Sequence, residues 1–224
     1  MYTPDSPYDL ARKLVPYFQS RQSNNGFFIE AGAANGVWQS NTLYLETTLG
    51  WSGLLIEPNK HCFEICKETR QMKGNIFYNC ALVGFDYKKN YIEGYFDAVC
   101  APSGHPQPDY EDALMGRIQE DNPRFEKDKR KRWERQNKIK VSARKLSDIL
   151  DENNITKIDF FSLDVEGYEL HALNGLDFSR HSPTWICVEC FGSVFRDVKQ
   201  KLEINGYILK AMVTECDFLF EKIR

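Results

Sequence analysis

The stretch Phe27-Phe28-Ile29-Glu30-Ala31-Gly32-Ala33-Ala34-Asn35-Gly36 constrains this chain most, because a short apolar run ends abruptly in a turn with two glycines. Phe27 to Ile29 suit a buried parallel strand, and the glycines allow a tight exit and a close backbone approach. About twenty residues later, Leu54-Leu55-Ile56-Glu57-Pro58 repeats the pattern of an apolar strand that ends in a carboxylate. In an open α/β sheet such strand ends lie side by side, so Glu57 is placed to take the two hydroxyls of a ribose. The pair predicts a pocket for a cofactor that carries a nucleoside.

Which nucleoside cofactor follows from what the turn lacks. A dinucleotide fingerprint needs glycine where this chain has Glu30, and a phosphate-gripping loop would close in Gly-Lys-Ser or Gly-Lys-Thr, which is absent. An acidic residue two positions before the first glycine suits a cationic ligand, since Glu30 can attract an ammonium directly or through a water. S-adenosylmethionine is such a ligand. The spacing Glu30, Gly32, Gly36 is that of the first motif of Rossmann-like methyltransferases.

Further on, Ile158-Asp159-Phe160-Phe161-Ser162-Leu163-Asp164-Val165-Glu166-Gly167-Tyr168-Glu169 is another apolar strand that ends in carboxylates. With Trp51 to Asn59, Ser40-Asn41-Thr42 and Asn79-Cys80-Ala81-Leu82, it resembles the FkbM family of S-adenosylmethionine-dependent methyltransferases. The resemblance spans Phe28 to about Leu82 and about Val141 to Glu189. It implies a methyltransferase whose cofactor site includes Glu30, Gly32, Asn35 and Gly36 around the methionine part, with Ala33, Pro58 and Asp164 also in the site. Glu57 would lie at the ribose, and Asn79, Cys80 and Ala81 near adenine. Ser40 and Asn41 would reach the carboxylate end, although helix-start hydrogen bonds satisfy such side chains equally well.

The expected architecture is α/β, a Rossmann-like methyltransferase fold with a mostly parallel central sheet, helices on both faces and a C-terminal antiparallel hairpin. Residues 1–25 read as an N-terminal helical cap, with Leu10, Leu14 and Phe18 on one face. Strands are expected at Phe27 to Ala31, Gly53 to Glu57, Ile76 to Cys80, Val141 to Lys145, Ile158 to Asp164 and Trp185 to Phe191. Helices are expected from Asn35 to Leu49, from Lys60 to about Gln71 and from Leu146 to Glu152. Tyr207 to Val213 and Cys216 to Lys222 read as the hairpin. One domain over 1–224 accommodates all of this.

A formal charge of −3 provides no global drive toward nucleic acid or anionic membranes. With no signal peptide or spanning segment apparent in the sequence, a soluble cytoplasmic protein is expected. Seven cysteines without secretory context read as reduced, buried thiols rather than a disulfide framework or a zinc centre.

Between residues 84 and 140 the strand-helix alternation lapses, which marks an insertion on the acceptor side. Tyr87, Tyr91, Tyr95, Phe96 and Tyr110 flank a Pro-rich loop and could stack on a sugar or a base, though ordinary packing is the commoner fate of such aromatics. Residues 124–145 form the one strongly basic segment, which suits a solvated helix or the phosphates of RNA.

A sulfonium methyl is already activated, so the protein must align an acceptor and exclude water. A hydroxyl acceptor also needs its proton removed. Asp164, Glu166 and the loop histidine His105 are the candidate bases, with His171 as a helical alternative. Asp164 and Glu189 end neighbouring predicted strands and could hold Mg²⁺ or Mn²⁺ through oxygen ligands. The expected activity is O-methylation of a sugar hydroxyl in a glycan, glycoconjugate or small-molecule acceptor. The alternatives are an RNA methyltransferase that uses the basic segment, or a non-catalytic binding module on the same fold.

Overall fold

The computed structural model describes residues 10–18, 26–94 and 139–223. The apolar runs form strands that are buried on both sides. β1 (Phe27–Ala31), β2 (Ser52–Ile56), β3 (Ile76–Tyr78), β7 (Phe160–Leu163) and β8 (Trp185–Glu189) run parallel. The hairpin β9 (Tyr207–Met212) and β10 (Asp217–Lys222) adds an antiparallel edge. The seven strands are ordered β3-β2-β1-β7-β8-β10-β9. The chain therefore leaves β1 in both directions across the sheet, and the crevice between the ends of β1 and β7 is where such a sheet takes a ligand.

Alternate residues of each strand serve opposite faces, which explains the continuous apolar runs. Ile29, Leu54, Ile56, Phe161 and Val188 join one core with helices α4 (Leu146–Glu152), α5 (Glu169–Leu173) and α6 (Gly192–Ile204). Phe28, Leu55, Phe160 and Cys187 join a second core with α1 (Leu10–Phe18) and with Leu45 of α2 (Leu43–Leu49) and Cys66 of α3 (Lys60–Thr69). Phe18 of α1 lies 5.0 Å from the Phe160 ring and 5.9 Å from Trp51, so the helix packs on that face. Each such side chain contributes about 1.5–3 kcal/mol by leaving water.

Three expectations are corrected. The helix expected after Asn35 begins only at Leu43, because the Asn35 side chain accepts from Val37 N and Trp38 N at 3.0 and 2.8 Å and folds a turn there. The strand near Val141 does not join the central sheet. It forms β6 (Ile139–Arg144), parallel to β4 (Ala81–Leu82) and antiparallel to β5 (Tyr91–Gly94), and the lapse in alternation after Leu82 hides this small second sheet. Cys62 is disulfide-bonded, while Cys66, Cys80, Cys187, Cys190 and Cys216 are free thiols. Among the described residues, no helix is long and apolar enough to cross a membrane.

Candidate active site

The end of β1 meets the end of β7 at the switch point. Asp164 N donates to Ala31 O at 3.1 Å, and Gly32 N and Ala33 N both donate to Ile56 O at the end of β2. Gly32 has φ +85°, and a Cβ there would fall 1.7 Å from the Asp164 carbonyl oxygen. The first glycine of the motif is thus demanded by the neighbouring strand.

Glu30 is 3% exposed, and its carboxylate points into the protein. It accepts from Ser40 Oγ (2.9 and 3.0 Å), Asn41 N (2.8 Å), Thr42 Oγ1 (2.7 Å) and Arg70 Nη1 (3.2 Å). These donors all come from the protein itself, so the carboxylate is engaged by the loop and by Arg70. Ser40 Oγ also accepts from Leu43 N at 3.1 Å, and the Asn41 side chain donates to Ser162 Oγ at 2.9 Å, so both residues serve the start of α2 and its seat on the sheet. Asn35 holds its own turn, and Gly36, at φ +77°, lies against the stem of Arg70.

Glu57, at the end of β2, accepts from Ala34 N at 2.9 Å and Asn59 N at 2.7 Å and is buried. Burial pushes its carboxyl up to about 7 against the lowering effect of those two bonds. It thus ties the exit of β2 to the glycine turn. Asn79 donates to the carbonyls of Glu57 and Pro58 at 2.8 and 3.0 Å. Cys80 and Ala81 are core residues, and burial pushes the Cys80 thiol up to about 12.

Asp164, Glu166 and Glu189 converge, with one carboxylate oxygen from each within 4.8 Å of the others. Register explains this: Leu163 pairs with Val188, so Asp164, just past β7, and Glu189, the last residue of β8, lie side by side. Asp164 Oδ1 is shut off from water and has no hydrogen-bond partner among the described residues. Burial first, then the charges of Glu189 and Glu166, raise the Asp164 carboxyl well above the usual range. A shielded acceptor among negative charges fits a cation such as the sulfonium or ammonium of S-adenosylmethionine, and the oxygen donors suit a hard divalent ion.

Glu166 has φ +58°, a left-handed conformation that costs a non-glycine residue about 1 kcal/mol or more. The turn is held from inside by Glu169, which accepts from Gly167 N at 2.8 Å and Val165 N at 3.3 Å and is 1% exposed. Glu169 and Arg70 shape the site, and neither is among the site residues expected from the sequence. Glu169 had a faint signal in its place at the start of α5; Arg70 had none beyond its position just after a helix.

His171 is exposed on α5 and stacks on Tyr168, ring centroids 4.1 Å apart. Tyr87 and Tyr91 are partly buried, and Tyr91 lies beneath Lys140 at 4.6 Å. His105, Tyr95, Phe96, Tyr110 and residues 124–138 lie outside the described residues.

The sequence model of the methyltransferase FkbM domain matches residues 30–209. No curated protein sequence matches this chain. A solved FkbM methyltransferase from Methylobacillus flagellatus KT aligns with 96% of this chain at 18% identity and TM-score 0.54, and the chain spans 48% of its length. Lower similarity is found to the METTL16 methyltransferase domain (12% identity, 94% of this chain and 64% of that one, TM-score 0.48). A TehB-like methyltransferase from Corynebacterium glutamicum ATCC 13032 is also similar (11%, 98% and 90%, 0.47). At these scores the last two bear on neither substrate nor mechanism. The match over 30–209, together with the glycine turn and the Asp164 strand end inside it, places this chain in the FkbM family of S-adenosylmethionine-dependent methyltransferases.

Proposed function

We propose that this protein transfers a methyl group to a hydroxyl oxygen, with a sugar of a glycan or glycoconjugate as the acceptor class. The observation that carries the reading is the carboxylate cluster of Asp164, Glu166 and Glu189 at the mouth of the β1–β7 crevice. S-adenosylmethionine, when bound, supplies an electrophilic methyl. The chain's own task is to hold the acceptor in line with it and to remove the hydroxyl proton, whose ordinary pKa lies far above neutrality. Asp164 is the base the geometry supports best, because its raised pKa makes it a stronger base than an exposed carboxylate. Glu189 and Glu166 stabilise the proton Asp164 takes up. Glu57 would meet the ribose from the end of β2, and the backbone at Cys80 and Ala81 the adenine.

The same cluster supports a second role. Three oxygen donors this close would hold Mg²⁺ or Mn²⁺ through Asp164, Glu189 and Glu166, and the ion would acidify the acceptor hydroxyl directly.

A nucleic-acid acceptor has less support. In the described part of the basic segment, Lys140 pairs with Glu93 at 3.2 Å and Arg144 pairs with Glu152, so two of its three cations, Lys145 being the third, are partly spent. The partly buried Tyr87 and Tyr91 and the Tyr168–His171 stack suit the apolar faces of a sugar at the small second sheet.

The test is radiolabelled methyl transfer from S-adenosylmethionine to a panel of free sugars, glycosides, nucleosides and RNA, with and without chelator. Label on a sugar oxygen supports the reading. Label on RNA alone, with steep salt dependence, replaces it.

A further inference from the structure

We propose that Arg70 is a positioning residue for the cofactor loop: it sets cofactor affinity by holding Glu30, Gly36 and Ser40 in place. The proposal rests on cofactor binding at the β1 turn. Arg70 directly follows α3, is 0% exposed, and is among the largest fully buried side chains of the protein. Its Nε donates to Glu46 Oε2 at 2.7 Å. Nη1 donates to Glu30 Oε2 at 3.2 Å, Gly36 O at 3.0 Å and Ser40 Oγ at 2.9 Å, and Nη2 donates to Thr42 Oγ1 at 2.9 Å. One planar cation therefore joins the end of strand β1, the loop that follows, and helix α2.

The carbon stem of Arg70 shapes the loop as well. A Cβ at Gly36 would fall 2.6 Å from Arg70 Cγ, so this glycine lets the loop lie directly on the arginine. Asn75 completes the arrangement by donating to Glu46 Oε2 at 2.8 Å and to Arg70 O at 3.0 Å. With Arg70 gone, Glu30 and Glu46 would be left as buried carboxylates without a countercharge. The 36–42 loop would lose three of its anchors at Gly36 O, Ser40 Oγ and Thr42 Oγ1. A lysine restores the charge but, as a point donor on a flexible stem, cannot bridge five acceptors.

A loop pre-set in its binding shape costs less to order when a ligand arrives, so loosening it weakens affinity while the carboxylate cluster at the ends of β7 and β8 stays intact. Loss of Arg70 thus acts on cofactor binding and not on the transfer step.

The experiment compares wild type with Arg70→Lys, Arg70→Met and Thr42→Val in the full chain, by S-adenosylhomocysteine calorimetry and by initial rates of methyl transfer at varied cofactor. Arg70→Lys is expected to raise the cofactor Kd and KM by about 10-fold, Arg70→Met by more, and Thr42→Val by about 3-fold. The kcat at saturating cofactor should stay within about 3-fold of wild type. Thr42→Val is a near-isosteric change that decides the matter if the arginine variants do not fold. Unchanged Kd in folded Thr42→Val and Arg70→Lys, or a fall in kcat with Kd unchanged, overturns the proposal. A wild-type protein that binds no cofactor overturns the methyltransferase reading itself, and the positioning role with it.

Discussion

Gly32 and Asp164 meet backbone to backbone at the switch point of the sheet, so close that a Cβ on residue 32 would lie 1.7 Å from the Asp164 carbonyl oxygen. The neighbouring hydrogen bond from Asp164 N to Ala31 O fixes this spacing, and φ +85° at Gly32 adds a conformational penalty for any other residue. Gly32→Ala should therefore destabilise the protein by about 3 kcal/mol or more, through strain rather than through a lost contact. Urea denaturation measures it. A midpoint equal to wild type would mean the two strand ends can separate at no cost.

Glu169 predicts how stability varies with pH. Burial, opposed by bonds from Gly167 N and Val165 N, raises its pKa from 4.5 to about 7. Between those values the folded protein keeps a proton that the unfolded chain releases, so this contribution to stability is complete below about 4.5 and is lost as pH rises through 7. Glu169→Gln keeps an acceptor for the turn and removes the ionisation. It should match wild type near pH 4 and exceed it at pH 8 by on the order of 2–3 kcal/mol. Denaturation at both pH values checks this, and a difference independent of pH would discard it.

Glu57 joins Ala34 and Asn59 as well as facing the proposed ribose position, so its two roles need separate readouts. Glu57→Ala should weaken binding of S-adenosylhomocysteine by about 1–3 kcal/mol. 2′-Deoxy and 3′-deoxy forms of the ligand should lose affinity against wild type but little further against the variant. Equal losses on both backgrounds would assign Glu57 to the turn alone.

Asp164 should govern the transfer step. Asp164→Asn is expected to lower kcat by about 100-fold or more while the protein still folds. In wild type the rate should rise with pH through the raised pKa of this carboxyl and then level off. Exhaustive dialysis against a chelator separates the two proposed roles of the cluster. Transfer that survives leaves Asp164 as base, and transfer that returns only with Mg²⁺ or Mn²⁺ makes the cluster a metal site.

Much of this architecture was legible in the chain because buried parallel strands advertise themselves. Phe27 to Ile29 and Leu54 to Ile56 are apolar at every position, and Phe160 to Leu163 at every position but the buried Ser162, a pattern that a sheet covered on both faces requires. The small sheet was not legible. β4 has only two residues and β5 is separated from its partner β6 by a long insertion, so no local period exposes them. The helix expected from Asn35 was misjudged for a related reason: the side chains of Asn35 and Glu30 compete for backbone donors that a helix would have used.

The sequence alone determined which residues stand at the strand ends: two glycines after one strand, a carboxylate after the next, and a carboxylate run after the strand that pairs with the first. Those signals are local in the chain, and the strand-end rule converts them into proximity. Direction and partnership were decided only by the tertiary structure. Glu30 faces inward because Arg70, 40 residues away, reaches it through the protein interior, and Glu189 joins Asp164 because β7 and β8 share a register. Electrostatics acts through space, so which carboxylate is neutralised and which is left open to a ligand depends on contacts between distant segments that no local pattern records.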